Sequence, residues 1–234
     1  MLAAQEAIGN EIYSLTQKTG LAKEDIDAII DGVADCAAYL NSSPRVAWIL
    51  KEPYDDKDPV TGEYCGGGWS LMEGFLKEGV VTNTTLQRII YVMYGLRNDL
   101  RYQDMDWISD NPEMGHVLRD IAFLNLSKMP AGTTSGDRSY AYYYNEYWEP
   151  ILKKQIELYD PEVIVFGNTF DTCWSQFIEE GTQPVEVIRN DEGKCFINVY
   201  KQNGRILLDA YHPGLRNHVG FYVDSLIDTI KRNN

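Results

Sequence analysis

No stretch of the chain reaches the roughly 18 consecutive apolar residues that a membrane-spanning helix needs, so the sequence predicts no transmembrane segment and no membrane partner. The first residues, Met1-Leu2-Ala3-Ala4-Gln5-Glu6, lack a basic region followed by an apolar one, and no secretory signal is expected there. Cysteine is sparse. Cys36, Cys65, Cys173 and Cys195 stand far apart with no Cys-x-x-Cys pair, which points to neither a zinc site nor a disulfide framework. Reduced thiols and a cytoplasmic setting are the expectation. Positive charge is short as well, with 21 Lys and Arg against 35 Asp and Glu, a net charge of −14. That excludes a uniformly basic nucleic-acid-binding coat and leaves room for a local basic groove. Repeats and low-complexity tracts are absent. What is present is an apolar fraction of 44% in 234 residues, enough for a sizeable core, and 16 tyrosines.

The apolar pattern changes period along the chain. Leu2 to Gln17 reads as a helix with Ile8, Ile12, Tyr13 and Leu15 on one side. Lys23 to Leu40 predicts a second helix, because Ile26, Ile29, Ile30, Val33, Ala37 and Leu40 recur at three- and four-residue steps. Arg45 to Leu50, Ile121 to Leu124, Val163 to Phe166 and Ile206 to Ala210 are short apolar runs that read as buried strands. Helical patterns lie between and after them, at Leu86 to Leu100, Tyr140 to Tyr159, Phe170 to Glu179 and His218 to Lys231. Such alternation predicts an α/β fold: a three-layer α/β/α sandwich with a mostly parallel central sheet. Cys195 to Tyr200, Gln202-Asn203-Gly204 and Arg205 to Asp209 read as a hairpin, since Asn-Gly favours a tight primed turn. The expected organisation is one α/β domain over residues 45–234, preceded by a helical extension over residues 1–44.

In open α/β sheets ligands bind beyond the carboxyl ends of the strands. The first strand runs into Lys51-Glu52-Pro53-Tyr54-Asp55-Asp56 and a loop ending Gly66-Gly67-Gly68-Trp69-Ser70. The second runs into Asn125-Leu126-Ser127-Lys128-Met129-Pro130, and the last into Tyr211-His212-Pro213-Gly214-Leu215-Arg216. These ends gather a carboxylate, an amide, an imidazole, aromatic rings and lysines.

In this order, the segments resemble the uracil-DNA glycosylase superfamily. Leu50-Lys51-Glu52-Pro53-Tyr54-Asp55 is similar to the GQDPYH water-activating loop, and to the GEAPG loop of the iron–sulfur branch with one residue deleted. Gly68-Trp69-Ser70 sits where the superfamily carries a base-stacking aromatic residue. Asn125 to Pro130 is similar to the segment whose Asn reads the pyrimidine, and Tyr211-His212-Pro213-Gly214 to the HPS motif. Tyr147 to Leu152 and Asp160 to Gly167 resemble the helix and strand that follow in the iron–sulfur branch. The resemblance spans Arg45 to Lys231, with an insertion around Thr82 to Asn111. Leu50-Lys51 replaces Gly-Gln, Glu52 replaces Asp, and Gly214 replaces Ser. The iron–sulfur cysteine spacings are missing, so no cluster and no other cofactor are expected.

The resemblance implies an N-glycosylase removing uracil or a damaged base from DNA, single strands included. Glu52 and His212 would be catalytic, and Tyr54, Trp69 and Asn125 would hold the base. Lys51, Lys128, Arg138, Leu215 and Arg216 would contact the nucleic acid, with Leu215 as the wedge. Gly66, Gly67 and Gly68 would expose N–H groups to an anion. Residue by residue, each has a plainer reading. Glu52 could be a cap, His212 a tie within its own loop, Asn125 a turn former, the aromatics core packing, and the cations solvated charge. The alternative function is a member of the same fold that binds a nucleotide or nucleic acid without cleaving it, or acts on a small molecule.

Overall fold

The computed structural model describes residues 1–22, 26–55, 57–58, 60–77, 83–131 and 139–233. Seven strands form one mixed sheet. They are β1 (Gly32–Val33), β2 (Val46–Leu50), β3 (Ala122–Asn125), β4 (Val163–Gly167), β5 (Glu186–Arg189), β6 (Cys195–Gln202) and β7 (Arg205–Ala210), in the order β1-β3-β2-β4-β7-β6-β5. The inner strands β3, β2, β4 and β7 are parallel. β1 on one side, and β6 and β5 on the other, pair antiparallel. The β6–β7 hairpin turns at Asn203 (φ 52°) and Gly204 (φ 75°), two positive φ values in succession, as a primed two-residue turn requires.

β2, β3 and β4 are buried throughout, and β7 is buried at Ile206, Leu207, Leu208 and Ala210, so their side chains alternate between two apolar clusters. Val46, Trp48, Val163, Val165 and Leu208 face the cluster that contains α3 (Leu71–Leu76), α4 (Thr84–Asn98) and α8 (Val219–Asn233). Ala47, Ile49, Ile164, Phe166 and Leu207 face the one that contains α1 (Leu2–Thr19) and α6 (Glu149–Tyr159). α6 continues a helical stretch that begins with α5 (Ser139–Tyr143) and passes through a π-helical turn at Tyr144–Trp148. After β4, α7 (Phe170–Cys173) is a single turn extended by a 3-10 turn at Trp174–Gln176, shorter than the periodicity predicts. No helix among the described residues is long and apolar enough to cross a membrane.

The segment expected as a helix from residue 23 to 40 is different. Residues 23–25 lie outside the described residues, and from Ile26 the chain is extended. The N–H groups of Asp27, Ile29 and Ile30 donate to Gly66, Lys128 and Trp69 carbonyls on other parts of the chain, not back along a helix. β1 then joins the sheet beside β3. Only α2 (Cys36–Asn41) is helical, and it starts where Asp35 accepts from the N–H groups of Ala37 and Ala38 at 2.9 and 3.0 Å. The first 44 residues thus supply a sheet strand, while the α1 side chain Gln5 bonds to Val33 and to Tyr159 of α6.

α4 and α8 pack closely at Gly95, where an added Cβ would lie 2.4 Å from Met105 Cε, 2.5 Å from Ile227 Cδ1 and 2.9 Å from the Leu100 carbonyl. Alanine is the better helix former by about 1 kcal/mol, yet overpacking costs about 1–3 kcal/mol. Gly95→Ala is therefore expected to lower stability in urea denaturation; a gain in stability would show that the two helices are not in this contact.

Candidate functional site

Beyond the carboxyl ends of β2, β3 and β7 lies a cleft of about 200 Å³. Its lining includes Lys51, Glu52, Tyr54, Trp69, Asn125 and His212, six of the ten residues singled out from the sequence. Asn83, Thr85 and Leu86, from the start of α4, and Phe123 complete it on the other side.

The parallel ladder explains why these ends meet. The Leu126 and Ser127 N–H groups donate to the Leu50 and Lys51 carbonyls, so pairing between the two chains continues past β2 and β3. The Ala131 N–H then reaches the Pro53 carbonyl, and the Asp55 N–H reaches Ala131. Tyr54 is carried on this ribbon and stays partly exposed. The Trp69 loop is fixed from below by the Ile30 N–H to the Trp69 carbonyl at 2.9 Å.

The Asp55 carboxylate accepts from Gly66 N–H at 2.7 Å and Gly67 N–H at 3.1 Å, and Gly68 N–H is bound to the Ala28 carbonyl. The three glycine N–H groups expected to meet an anion are therefore taken within the protein, and the role given to them does not hold. Gly67 is needed for another reason. Its φ is +82° and a Cβ there would lie 2.1 Å from the Asp27 carbonyl oxygen. The loop presses against the extended segment before β1, and that contact seats Trp69.

Asn125 is 1% exposed at the floor of the cleft. Its backbone N–H donates to Asp31 Oδ2 at 2.6 Å and its Nδ2 to the same oxygen at 3.3 Å. Its Oδ1 is buried without a partner among the described residues, as is the indole N–H of Trp69. Two residues that line the cleft thus each carry a buried polar atom without a partner, an acceptor on Asn125 and a donor on Trp69.

Lys128 does not reach a phosphate. It is 0% exposed, and its ammonium donates to both Asp31 oxygens at 2.9 and 2.8 Å, to the Asn125 carbonyl at 2.8 Å and to Gln155 Oε1 at 2.9 Å. All its donors are used, which is the condition for a buried cation to be tolerated. Burial pushes its pKa down and Asp31 opposes that shift.

His212 sits on the loop after β7. Burial, with Lys51 nearby, pushes its imidazole down to about 4. Its Nδ1 accepts from the Gly214 N–H at 3.0 Å, so the neutral ring carries its proton on Nε2. The tie to its own loop and a free donor nitrogen coexist in one side chain. Gly214, where the resembled motif has Ser, fits this geometry: a Cβ there would lie 2.9 Å from His212 Nδ1 and 3.1 Å from Thr85 Oγ1. The space near a serine hydroxyl is occupied by α4.

The remaining expected contacts divide. Lys51 lines the cleft with its ammonium 5.4 Å from the centre of the Tyr140 ring. Arg216 is exposed on the His212 loop. Leu215, expected as a wedge, is half-buried and packed against the cluster that contains α4 and α8. Arg138 lies outside the described residues. Sequence reasoning missed Asp31, because its segment reads as helical, and Asn83, Thr85 and Leu86, because α4 reads as an insertion. The Asn-x-Thr stretch at the start of α4 carries a usable signal: Asn83 caps the helix through the Thr85 and Leu86 N–H groups at 2.9 and 3.2 Å.

The His212 shift has a testable sign. Between pH 6.5 and about 4 the unfolded chain binds a proton that the folded chain refuses. The stability from this group is complete above pH 6.5 and is lost as pH falls toward 4. In proton NMR the His212 ring resonances are expected to stay unchanged from pH 8 to 5; a midpoint near 6.5 would contradict the buried neutral ring. Among the described residues, no group of three or more His, Cys, Asp and Glu side chains is arranged to hold a metal ion. No family model matches the chain, and no curated protein resembles it in sequence.

Proposed function

We propose that the cleft receives an extruded uracil-like base and that the protein cleaves its N-glycosidic bond, as a divergent member of the uracil-DNA glycosylase superfamily with that superfamily's three-layer α/β/α arrangement. The single observation that carries the reading is the meeting of Glu52, Asn125, Trp69, Tyr54 and His212 around one base-sized cleft. Bond cleavage builds positive charge on the sugar and negative charge on the departing base, so the site needs an anion for the first and a donor for the second. In this reading Glu52 supplies the anion and holds the attacking water. The Nε2–H of neutral His212 donates to the base oxygen that gains charge. Asn125 Oδ1 accepts from the ring N–H, Trp69 and Tyr54 flank the ring, and Tyr54 occupies the side where thymine carries its methyl. Stacking of this kind is worth about 1–3 kcal/mol per base.

The substrate of this reading is DNA in which the base is already accessible, single strands first, because extrusion from a duplex is costly. The second reading, a member of the same fold acting on or binding a nucleotide or small molecule, draws on the electrostatics. The net charge is −14, Lys128 is buried in an ion pair, and the glycine N–H groups are occupied. Each lost phosphate contact weakens nucleic-acid affinity. The acidic side does not dominate either: Asp55 is turned to the glycine loop, Asp58 caps its own turn through the Val60 and Thr61 N–H groups, and Asp56 lies outside the described residues.

Release of free uracil from a uracil-containing single-stranded oligonucleotide tests the first reading. Turnover is expected, and Glu52→Gln is expected to lower it about a hundredfold or more while leaving oligonucleotide affinity within a few-fold. No release at enzyme excess, from a folded protein, would refute the glycosylase. Binding of deoxyuridine monophosphate without release would leave the second reading standing. Equal losses of binding and turnover in Glu52→Gln would remove the role assigned to that carboxylate.

A further inference from the structure

The stretch Tyr140 to Trp148 packs five tyrosines and a tryptophan into nine residues, and the helix sorts them by face. Tyr140, Tyr144 and Trp148, at steps of four, are buried in the cluster that contains α1 and α6. Tyr143 and Tyr147 flank that face and are partly exposed, and Tyr142 is 60% exposed. These three rings form one array. Tyr142 and Tyr143 meet edge to face with centroids 5.5 Å apart. Tyr143 and Tyr147 lie closer to parallel, with 28° between planes and 6.4 Å between centroids. Tyr142 and Tyr147, five residues apart, share a hydrogen bond, a pairing that the i to i+5 spacing of the π-helical turn favours.

Two further observations bear on what covers the array. It is continuous with the cleft. Tyr140, one turn before Tyr143, lies with its ring 5.4 Å from the Lys51 ammonium, and Lys51 lines the cleft. The chain is also short of free cations. The net charge is −14, and eight cations, Lys128 among them, are tied to carboxylates in ion pairs. Lys51 is in none of these pairs among the described residues.

We propose that Tyr142, Tyr143 and Tyr147 are a stacking platform for the bases next to the one in the cleft, so that a single strand is held by ring stacking more than by phosphate contacts. A strand leaving the cleft meets Lys51 first, which takes a phosphate, and then the tyrosines. Every base has a π-face, so stacking needs no particular sequence and no positive charge. Glu146, exposed on the same turn, repels phosphate and keeps the strand's backbone on the outer side of the rings. A protein partner would need neither the cation nor the adjacency to the cleft. The array lies to one side of the cleft, so it serves one flank of the strand. This deepens the proposed function and rests on it for the claim that a base occupies the cleft.

The test measures wild-type affinity by fluorescence anisotropy for a single-stranded oligonucleotide whose one uridine carries a 2′-fluorine, which resists cleavage. In two further oligonucleotides the neighbours on one side of the uracil, then those on the other, are abasic spacers. Spacers keep the phosphates and delete the rings. Affinity is expected to fall about fivefold or more for one flank and to stay within about twofold for the other. No loss for either flank, or no binding of the intact oligonucleotide, overturns the proposal. Raising salt from about 50 to about 200 mM is expected to weaken binding less than about tenfold, as for one or two phosphate contacts. A larger loss would assign the binding to cations and overturn it too.

The double variant Tyr142→Ala/Tyr147→Ala is expected to lose about fivefold or more in affinity for the intact oligonucleotide, with affinity for deoxyuridine monophosphate within about twofold of wild type. Equal losses for both ligands would mean that the rings only support the fold, and the platform would fall. Loss of self-association in this variant, with oligonucleotide affinity unchanged, would make the array a protein-docking face and refute it as well. Deoxyuridine monophosphate binding without a flank effect removes the platform and leaves the cleft reading in place. Uracil release from an unfluorinated oligonucleotide, measured separately, shows whether the glycosylase reading stands.

Discussion

A lysine ammonium and an aspartate carboxylate, both sealed from water, set the terms for the rest of this molecule. Burying either alone would cost several kcal/mol. Together they persist because every donor and acceptor of the pair has a partner. The consequence is geometric. The chain before β1, the end of β3 and the middle of α6 must converge on one point for the charges to be satisfied. The sheet edge, the floor of the cleft and the helix behind it are thereby placed relative to one another.

Around that point the cleft is built from strand ends and from one helix. Apolar packing decides where the strands lie, and the ladder continuing beyond β2 and β3 decides where Glu52 and Tyr54 emerge. The start of α4 contributes Asn83, Thr85 and Leu86 to the rim, while Ile89, Ile90, Val92 and Met93 further along are in the core. One rigid element therefore serves both purposes. The same helix accounts for Gly214, since Thr85 stands where a longer residue would have to go. His212 is held at the cleft by the Gly214 N–H, its pKa pushed down by burial, with one nitrogen engaged and the other available.

The inner strands could be read from the chain because their runs are almost wholly apolar, Asp209 being an exception inside β7, as a sheet covered on both faces requires. The hairpin could be read from Asn203-Gly204. The segment from residue 26 to 33 could not. Ile26, Ile29, Ile30 and Val33 repeat at helical steps, but Ala28, Ile29, Ile30, Asp31, Gly32 and Val33 are all buried, a pattern of an extended chain packed on every side. Only the Asp35 cap betrays where helix begins. Glu52, Asn125, Trp69 and His212 were visible at strand ends because topology brings such ends together. Lys128 was misjudged for a physical reason: its counter-charge lies at residue 31, and no local pattern announces a pairing over that distance.

At the far side of the sheet the chain ends its own hydrogen-bonding in a particular way. β5 is four residues long, its pairing with β6 slips between Ile188 and Arg189, and Pro184, just ahead of it, has no N–H to give. Glu186 and Arg189 bracket Val187 and Ile188, and Glu186 is held by Arg232 from α8. A ribbon this short, bent and charged offers a poor template for another chain to continue. The margin opposite the cleft is thus guarded against strand-by-strand growth into aggregates, and the exposed valines there, Val185 and Val187, do not by themselves make it adhesive.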